Sequence, residues 1–345
     1  MSDIVRSLIQ RISSHQEYDA TEMRACFHEI MSGHVSPTLI SGFLMALKMR
    51  GETPLDITAG AATLRDMADK INAPDGAIDI VGTGGDGIGT YNISTATAFV
   101  VAGCRVTVAK HGNRAVSSKS GAADVLTSLG LNLDAPFPVL EEALRAHHVC
   151  FLMAPRHHSA MRHVGPIRAE LGTRTIFNLL GPLSNPALVK RIMVGVYDEA
   201  WCRPFAEALD ALGTTHAFVV HGKDGLDEVT TTTSTKVASL VKGSISEFEI
   251  HPSDFGLKTA HLDDLKGGNG EENAAALRAI LSCSENASEA YHDAVLFNAA
   301  SALVGTGHEG DFETAIARAR TSIESGAALQ ALDGLVEMTN KGEAS

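Results

Sequence analysis

Along the first seventy residues the apolar positions recur at helical spacing. Ile4, Leu8, Ile9 and Ile12 predict a short first helix. A second is expected after Asp19, which has capping-box spacing to Glu22, and it carries Met23, Phe27, Ile30 and Met31 before Gly33 ends it. Ser36-Pro37 and Thr53-Pro54 each set an N-cap residue ahead of a proline in the first helical position, with Gly51 closing the helix between them. That helix, over 36–50, is apolar on more than one face (Leu39, Ile40, Phe43, Leu44, Met45, Leu47). It is either the centre of a helical bundle or, in part, a face for another subunit.

From residue 77 the period changes to short apolar runs alternating with helical patterns. Strands are predicted over 78–81, 105–109, 150–153, 192–196 and 217–220, and helices over 94–103, 120–130, 141–147 and 204–212. The alternation implies an α/β protein in which a mainly parallel central sheet is flanked by helices and binds ligands at the carboxyl ends of its strands. Residues 157–171 read as one helix bent at Gly165-Pro166, and helices from about 157–180 are expected to pack back on the N-terminal ones. After a Thr-rich loop (230–234) and a Gly-rich loop (266–270), helices are expected near 273–281, 288–304 and 312–325. The chain thus divides into a small all-helical domain, 1–72, and a large α/β domain, 73–345.

Composition narrows the classes. With 44% hydrophobic and 20% charged residues, the 345-residue chain is ordinary globular material and long enough for two cores. Its formal charge of -13 argues against nucleic-acid or membrane binding, since both want a basic face. The five cysteines are scattered and form no Cys-x-x-Cys pair, which suits reduced, structural thiols in the cytoplasm.

Against that acidic background, the stretch between Gly87 and Ala123 holds no acidic residue, yet carries Arg105, Lys110, His111, Arg114 and Lys119. A highly charged anionic ligand is the simplest cause. Gly82, Gly84 and Gly87 satisfy G-x-G-x-x-G between a strand and a helix, but the acid a nicotinamide site wants some twenty residues on is missing. Asp86, Thr90, Asn92, Ser94 and Thr95 instead crowd small polar side chains at a helix N-terminus, an arrangement suited to pyrophosphate, with the Ser94 hydroxyl able to join a magnesium ion. The second loop, 110–118, repeats the logic: Lys110 and Arg114 to neutralise phosphate, Gly112 for close backbone approach, Ser117 and Ser118 as donors.

The runs GTGGDGIGTYNIST, KHGNRAVSSKSGAADVL, HHSAMRHVGPIRAELGTRTIFNLLGPLSNP and DGLDEVT, in that order, resemble the anthranilate phosphoribosyltransferases of tryptophan biosynthesis. The resemblance implies a cleft between the two domains, a homodimer through the helical one, and transfer of phosphoribose from phosphoribosyl pyrophosphate to anthranilate with Mg²⁺, as two ions. It further implies that Gly82, Gly85, Asp86, Thr90, Asn92, Ile93, Ser94, Thr95, Lys110, His111, Gly112, Asn113, Arg114, Ala115, Val116, Ser117 and Ser118 hold phosphoribosyl pyrophosphate. Ser94, Asp227 and Glu228 would hold magnesium, and Gly82, Asn113 and Arg168 would contact anthranilate. Three positions depart from the family pattern: Ala122 where Ser is frequent, Ser159 where Pro is frequent, and Tyr91 where Phe is common. Ala122 stays in the candidate site through its backbone.

On physical grounds alone, adjacent carboxylates such as Asp227-Glu228 after a strand are hard donors suited to Mg²⁺ held jointly with phosphates, or simply a solvated turn. Arg168 could grip a carboxylate through paired bonds or an acid elsewhere on the surface. The histidines at 147, 148, 157, 158 and 163 lack zinc-site spacing, and His157 and His158 are expected to line or support the aromatic substrate's site. A nucleoside phosphorylase of similar fold, or a non-catalytic nucleic-acid-binding relative, are the alternatives.

Overall fold

The computed structural model describes residues 2–114 and 119–341. Four N-terminal helices come first: α1 (Asp3–Ser13), α2 (Ala20–Met31), α3 (Pro37–Arg50) and α4 (Pro54–Met67). The α2 capping box is formed, with Asp19 Oδ1 accepting the Glu22 N–H at 2.9 Å and Glu22 Oε2 accepting the Asp19 N–H at 3.0 Å. Thr53 and Asp56 make the same reciprocal cap on α4. Ser36 precedes α3 without a side-chain cap, so Pro37 alone marks that start.

The sheet has seven strands in the order β3-β2-β1-β4-β5-β6-β7: β1 (Ile78–Gly82), β2 (Val108–Gly112), β3 (Val149–Met153), β4 (Arg191–Gly195), β5 (His216–Gly222), β6 (Thr235–Val241) and β7 (Ser244–Ile250). The first five are parallel and the last two antiparallel. α5 (Ile93–Gly103) joins β1 to β2, α6 (Ala122–Ser128) and α7 (Phe137–Ala146) lead to β3, and α8 (Ala154–His157), α9 (Gly165–Leu171) and α10 (Ile176–Leu180) lead to β4. After α11 (Cys202–Ala211) and the hairpin, α12 (Gly270–Leu281), α13 (Glu289–Gly305), α14 (Phe312–Glu324) and α15 (Ala327–Asn340) complete the chain.

Alternation along the strands sorts the core to two faces. Ile192 and Val194 of β4, with Ala217 and Val219 of β5, join α11 and the N-terminal helices, to which Ile167, Phe177 and Leu180 of α9 and α10 also belong. Met193, Phe218 and Val220 face the other way, toward α5 and the C-terminal helices. α5 is apolar all round because it is enclosed by the sheet and by α13, α14 and α15.

Three expectations needed correction. The region 157–171 is not one bent helix: α8, a 3₁₀ turn (Ser159–His163) and α9 follow one another, with Pro166 in the first turn of α9. The strand expected over 105–109 starts at Val108, because Arg105 takes a left-handed turn (φ 59°) after α5 and pairing with β3 starts at Val108↔Val149. Lys110, His111 and Gly112 therefore belong to a strand and not to a loop. The hairpin β6–β7 was unforeseen, although Lys242-Gly243, both at positive φ (47° and 88°), is the two-residue turn such a hairpin needs.

Candidate active site

Strand order reverses between β1 and β4, so the crevice outside their carboxyl ends is where this sheet binds a ligand. The last residues of the two strands, Gly82 and Gly195, are paired with each other. A side chain on either would run into Asp227, into its carboxylate at Gly82 and into its main chain at Gly195. Two glycines at the switch point thus make room for the Asp227-Glu228 loop. Gly195 was not foreseen as part of the site; its signal, a glycine ending the apolar run RIMVG, was no stronger than that of other strand-end glycines.

Beyond β1 the chain turns through Gly84, Gly85, Gly87 and Gly89, all at positive φ between 67° and 78°. That conformation is open to glycine, and a loop built from it, here called the glycine nest, lets an anion approach the backbone N–H groups without side chains in the way. The nest runs into the N-terminus of α5, where Asn92 precedes the helix without capping it. Ser94 N–H donates to Glu228 Oε1 (3.1 Å) and Gly84 N–H to Asp227 Oδ2 (2.6 Å), so both carboxylates are held against the nest. Ile93 and Thr95 are buried, leaving their main chain as the part that can reach a ligand.

Lys110 is only 4% exposed. Its Nζ donates to the Ile80 carbonyl (2.6 Å) and to Ser94 Oγ (3.3 Å), among Asp79, Glu228 and Asp227. It is an internal counter-ion beneath the nest rather than a loop cation. Burial holds its pKa below the usual lysine range against the pull of those acids. Burial likewise pushes Asp227 and Glu228 above the carboxylate range, helped by repulsion from Asp86 at Asp227 and from Asp227 at Glu228. Asp86 is raised by burial too, while its Oδ1 accepts the Ile88 N–H at 3.2 Å.

Side chains complete the β1–β2 seam, whose register is set at Ile78↔Val108. Asp79 Oδ1 accepts the His111 N–H (3.0 Å), and Asn185 Nδ2 donates to both Asp79 Oδ2 and the Ala109 carbonyl, each at 2.8 Å. Buried on all sides, Asp79 has a pKa raised to about 6. Asn185, which carries no local signal in the sequence, is thus the side chain that bridges this seam.

The remaining candidates divide. His111 is neutral rather than cationic, since burial and the neighbouring His158 and His157 push its pKa well down, and its ring packs edge-on to His158 at 5.2 Å. His158 is lowered to about 4, by burial first and His157 second. His157 stacks on Phe137 at 4.5 Å, and its Nδ1 bonds the Asp69 carbonyl at 2.7 Å. Gly112 is required by crowding: a Cβ would stand 2.7 Å from the Phe151 ring and 3.6 Å from Ala122. Arg114 is not free of acids, because Asp124, one residue past the acid-free stretch, pairs with it at 3.3 Å. Asn113 Oδ1 accepts the Arg114 N–H at 2.8 Å. Ala115, Val116, Ser117 and Ser118 lie outside the described residues. Arg168, in α9, lies over the Phe177 ring (5.6 Å) and reaches Asn178 Oδ1 at 3.4 Å, with no acidic partner among the described residues. Arg174, unremarked in the sequence, bonds the Gly85 carbonyl and covers the Tyr197 ring at 4.2 Å, tying the segment before α10 to the nest.

Residues 74–329 match the α/β domain of a glycosyl transferase family, and residues 6–68 match that family's helical bundle domain. The anthranilate phosphoribosyltransferase of Rhizobium meliloti (strain 1021) is 52% identical over 340 residues, 99% of either chain. That of Rhodospirillum rubrum is 52% identical over 332 residues, 96% of this chain and 95% of the relative. Among solved structures, the enzyme of Thermus thermophilus superposes with a TM-score of 0.90 at 41% identity, covering 96% of this chain and 99% of its own. The Saccharomyces cerevisiae enzyme in complex with PRPP and Mg superposes with a TM-score of 0.90 at 29% identity over 99% of each chain. With that identity across nearly its whole length, and a glycine nest set against two carboxylates at the switch point, the chain belongs to the anthranilate phosphoribosyltransferase family.

Proposed function

We propose that the protein transfers the phosphoribosyl group of phosphoribosyl pyrophosphate to the amine of anthranilate, releasing pyrophosphate, in tryptophan biosynthesis. The observation that carries this reading is the nest of N–H groups at the start of α5, closed on one side by Asp227 and Glu228. In the reaction the C1–O bond to pyrophosphate breaks as the C1–N bond forms, and the amine's extra proton leaves to solvent or to the departing pyrophosphate. An aromatic amine is unprotonated at neutral pH, so no strong base is required. The chain's part is positioning and electrostatics: the nest, Ser94 and the segment from Lys110 to Ser118, with Ala122, would hold the phosphates, and Lys110 would offset charge gathering on the leaving group.

The acidic pair fits a divalent ion. Each carboxylate rests an oxygen on a backbone N–H of the loop, Asp227 on Gly84 and Glu228 on Ser94, which leaves further lone pairs for a cation. No group of three or more His, Cys, Asp or Glu side chains that could hold a metal by themselves occurs among those residues, so phosphate oxygens of the substrate would complete the sphere. Ser94, Asp227 and Glu228 would hold Mg²⁺, in our reading as two ions. When bound, magnesium supplies positive charge to the pyrophosphate oxygens.

Anthranilate would lie by Gly82, Asn113 and Arg168, with His157 and His158 supporting its site. Arg168, partly buried with its pKa lowered by that burial and without an acidic partner among the described residues, has a guanidinium to give to the substrate's carboxylate. Arg168→Ala is expected to raise the KM for anthranilate by roughly ten- to a hundredfold, the worth of a charged hydrogen bond, while the KM for phosphoribosyl pyrophosphate moves less than about threefold. Steady-state kinetics with each substrate varied in turn decide it. Equal effects on both, or consumption of a nucleoside with phosphate instead of anthranilate, would install the phosphorylase reading.

We place the domain boundary at 1–72 and 73–345 and the dimer contact on the helical domain. On α3, Phe43 and Leu47 are fully buried in the protein's own core, while Met49 is 79% exposed and Met45 and Leu39 are partly exposed. That residual apolar face supports a homodimer. Met45→Glu with Met49→Glu is expected to give a monomer by light scattering at micromolar concentration; a wild-type monomer would remove the idea. No helix among the described residues is long and apolar enough to cross a membrane, and the buried free thiols Cys26, Cys104, Cys150 and Cys202 suit residence in the cytoplasm.

A further inference from the structure

The glycine nest is strapped from outside by the segment that leads into α12. Tyr91 N–H donates to the Leu265 carbonyl (2.9 Å), Gly267 N–H donates to the Gly89 carbonyl (3.0 Å), and Thr90 and Lys266 form an antiparallel bridge between them. Tyr91 stacks on Tyr291 with ring centres 4.5 Å apart, and the Tyr291 hydroxyl donates to the Asn92 carbonyl at 3.3 Å. In the middle of this strap lies Asn273, 1% exposed. Gly267 has no room for a side chain, since a Cβ there would be 2.7 Å from the Thr90 carbonyl and 2.8 Å from Asn273 Oδ1.

The amide orientations follow from a group that can only donate. Gly268 N–H points at the Asn273 side chain at 2.7 Å, so the atom it meets is the carbonyl Oδ1. Asn273 Nδ2 is then the end that donates to the next amide, and the atom it meets at 2.8 Å is Asn92 Oδ1. Asn92 Nδ2 is left over, without a partner among the described residues, at the N-terminus of α5. We propose that Asn273 is a positioning residue: the relay Gly268 N–H to Asn273 to Asn92 fixes the Asn92 amide with its donor end toward phosphoribosyl pyrophosphate. An unconstrained asparagine could turn its oxygen to the same place, where it would repel an anion. The inference rests on the reading that Asn92 meets this substrate.

The test is steady-state kinetics of the full-length enzyme at saturating Mg²⁺ across pH 5.5 to 8.5, each variant referred to wild type at the same pH. Asn273→Asp keeps the shape and the bond to Gly268 N–H but removes the donor. The Asn92 amide must then turn to donate to it and present its oxygen to the substrate. The KM for phosphoribosyl pyrophosphate is expected to rise tenfold or more at pH 8.5 while the KM for anthranilate stays within twofold. Toward pH 5.5 the introduced carboxyl takes up a proton, donates again, and the gap closes. A gap that stays constant with pH, or a KM within twofold of wild type at pH 8.5, overturns the relay. Asn92→Ala checks the underlying reading separately: it should raise the same KM about tenfold at every pH, and no change there removes Asn92 from the site. Should Asn273→Asp fold poorly, Asn273→Ala frees the Asn92 amide without adding a titratable group: the same KM is expected to rise several-fold at every pH while that for anthranilate stays within twofold, and an unchanged KM counts against the relay.

Discussion

Asp227→Asn combined with Glu228→Gln is expected to lower kcat/KM by at least about three orders of magnitude, with the fold kept, since loss of a single strong electrostatic contact to a developing charge already costs about a hundredfold or more. Both residues lie at the switch point and hold the nest through Gly84 and Ser94. The amide variants can still accept those two N–H groups, so the nest keeps its shape while its negative charge is lost. Both carboxylates are raised above their ordinary range, first by burial and then by Asp86 at Asp227 and by Asp227 at Glu228, which means the ionised pair is a liability to the folded chain. The metal-free double variant should therefore melt at a temperature no lower than wild type. Circular dichroism during heating, alongside activity as a function of magnesium concentration, separates the possibilities. Wild-type turnover at limiting magnesium would refute the assignment, and an unfolded variant would show that the pair is structural.

How much of this could be read from the residues depended on what kind of signal each left. Helices α1 to α4 were legible because their apolar residues keep helical spacing, and two of them, α2 and α4, also start with capping residues close together, Asp19 with Glu22 and Thr53 with Pro54. The glycine nest was legible because four left-handed residues in a row of six admit little else. Lys110 was legible as a cation near the ligand but not as a buried one, because a three-residue shift of β2 turns a loop position into a strand interior. Nothing local distinguishes the two.

Asn185, Asn273 and Gly195 were missed for a shared reason. Each acts on a segment about seventy-five or more residues away, or, for Gly195, on a loop some thirty residues on: Asn185 on Asp79 and Ala109, Asn273 on Asn92, Gly195 on Asp227. An asparagine inside a helix or before a proline looks ordinary until the fold supplies its partner. The histidines erred in the other direction. His111 stood in a basic run and was counted with it, yet burial beside two other imidazoles keeps it uncharged.

Gly195→Ala tests whether the switch-point glycines serve the site or merely the sheet. The added carbon would overlap the carbonyl of Asp227 and come within 3.2 Å of its Cα, and main chain cannot swing aside as a side-chain tip can. Neither partner is free to yield. Gly195 is paired to Gly82 on one side and Val220 on the other, and its carbonyl accepts the Thr83 N–H at 2.9 Å. The Asp227 loop is anchored two residues on, where Asn298 bonds both the N–H and the carbonyl of Val229 at 3.0 and 2.7 Å. The expected cost is about 1 to 3 kcal/mol of stability, as for other overpacked interiors, with the loop displaced and turnover down by about a hundredfold. Gly82→Ala meets the Asp227 carboxylate instead, which can rotate, so it should lose comparable activity and much less stability. Chemical denaturation of both variants beside their kcat values gives the comparison. Equal stability losses, or a Gly195→Ala enzyme with wild-type turnover, would mean that the loop has slack and that the glycine pair does not set the position of Asp227.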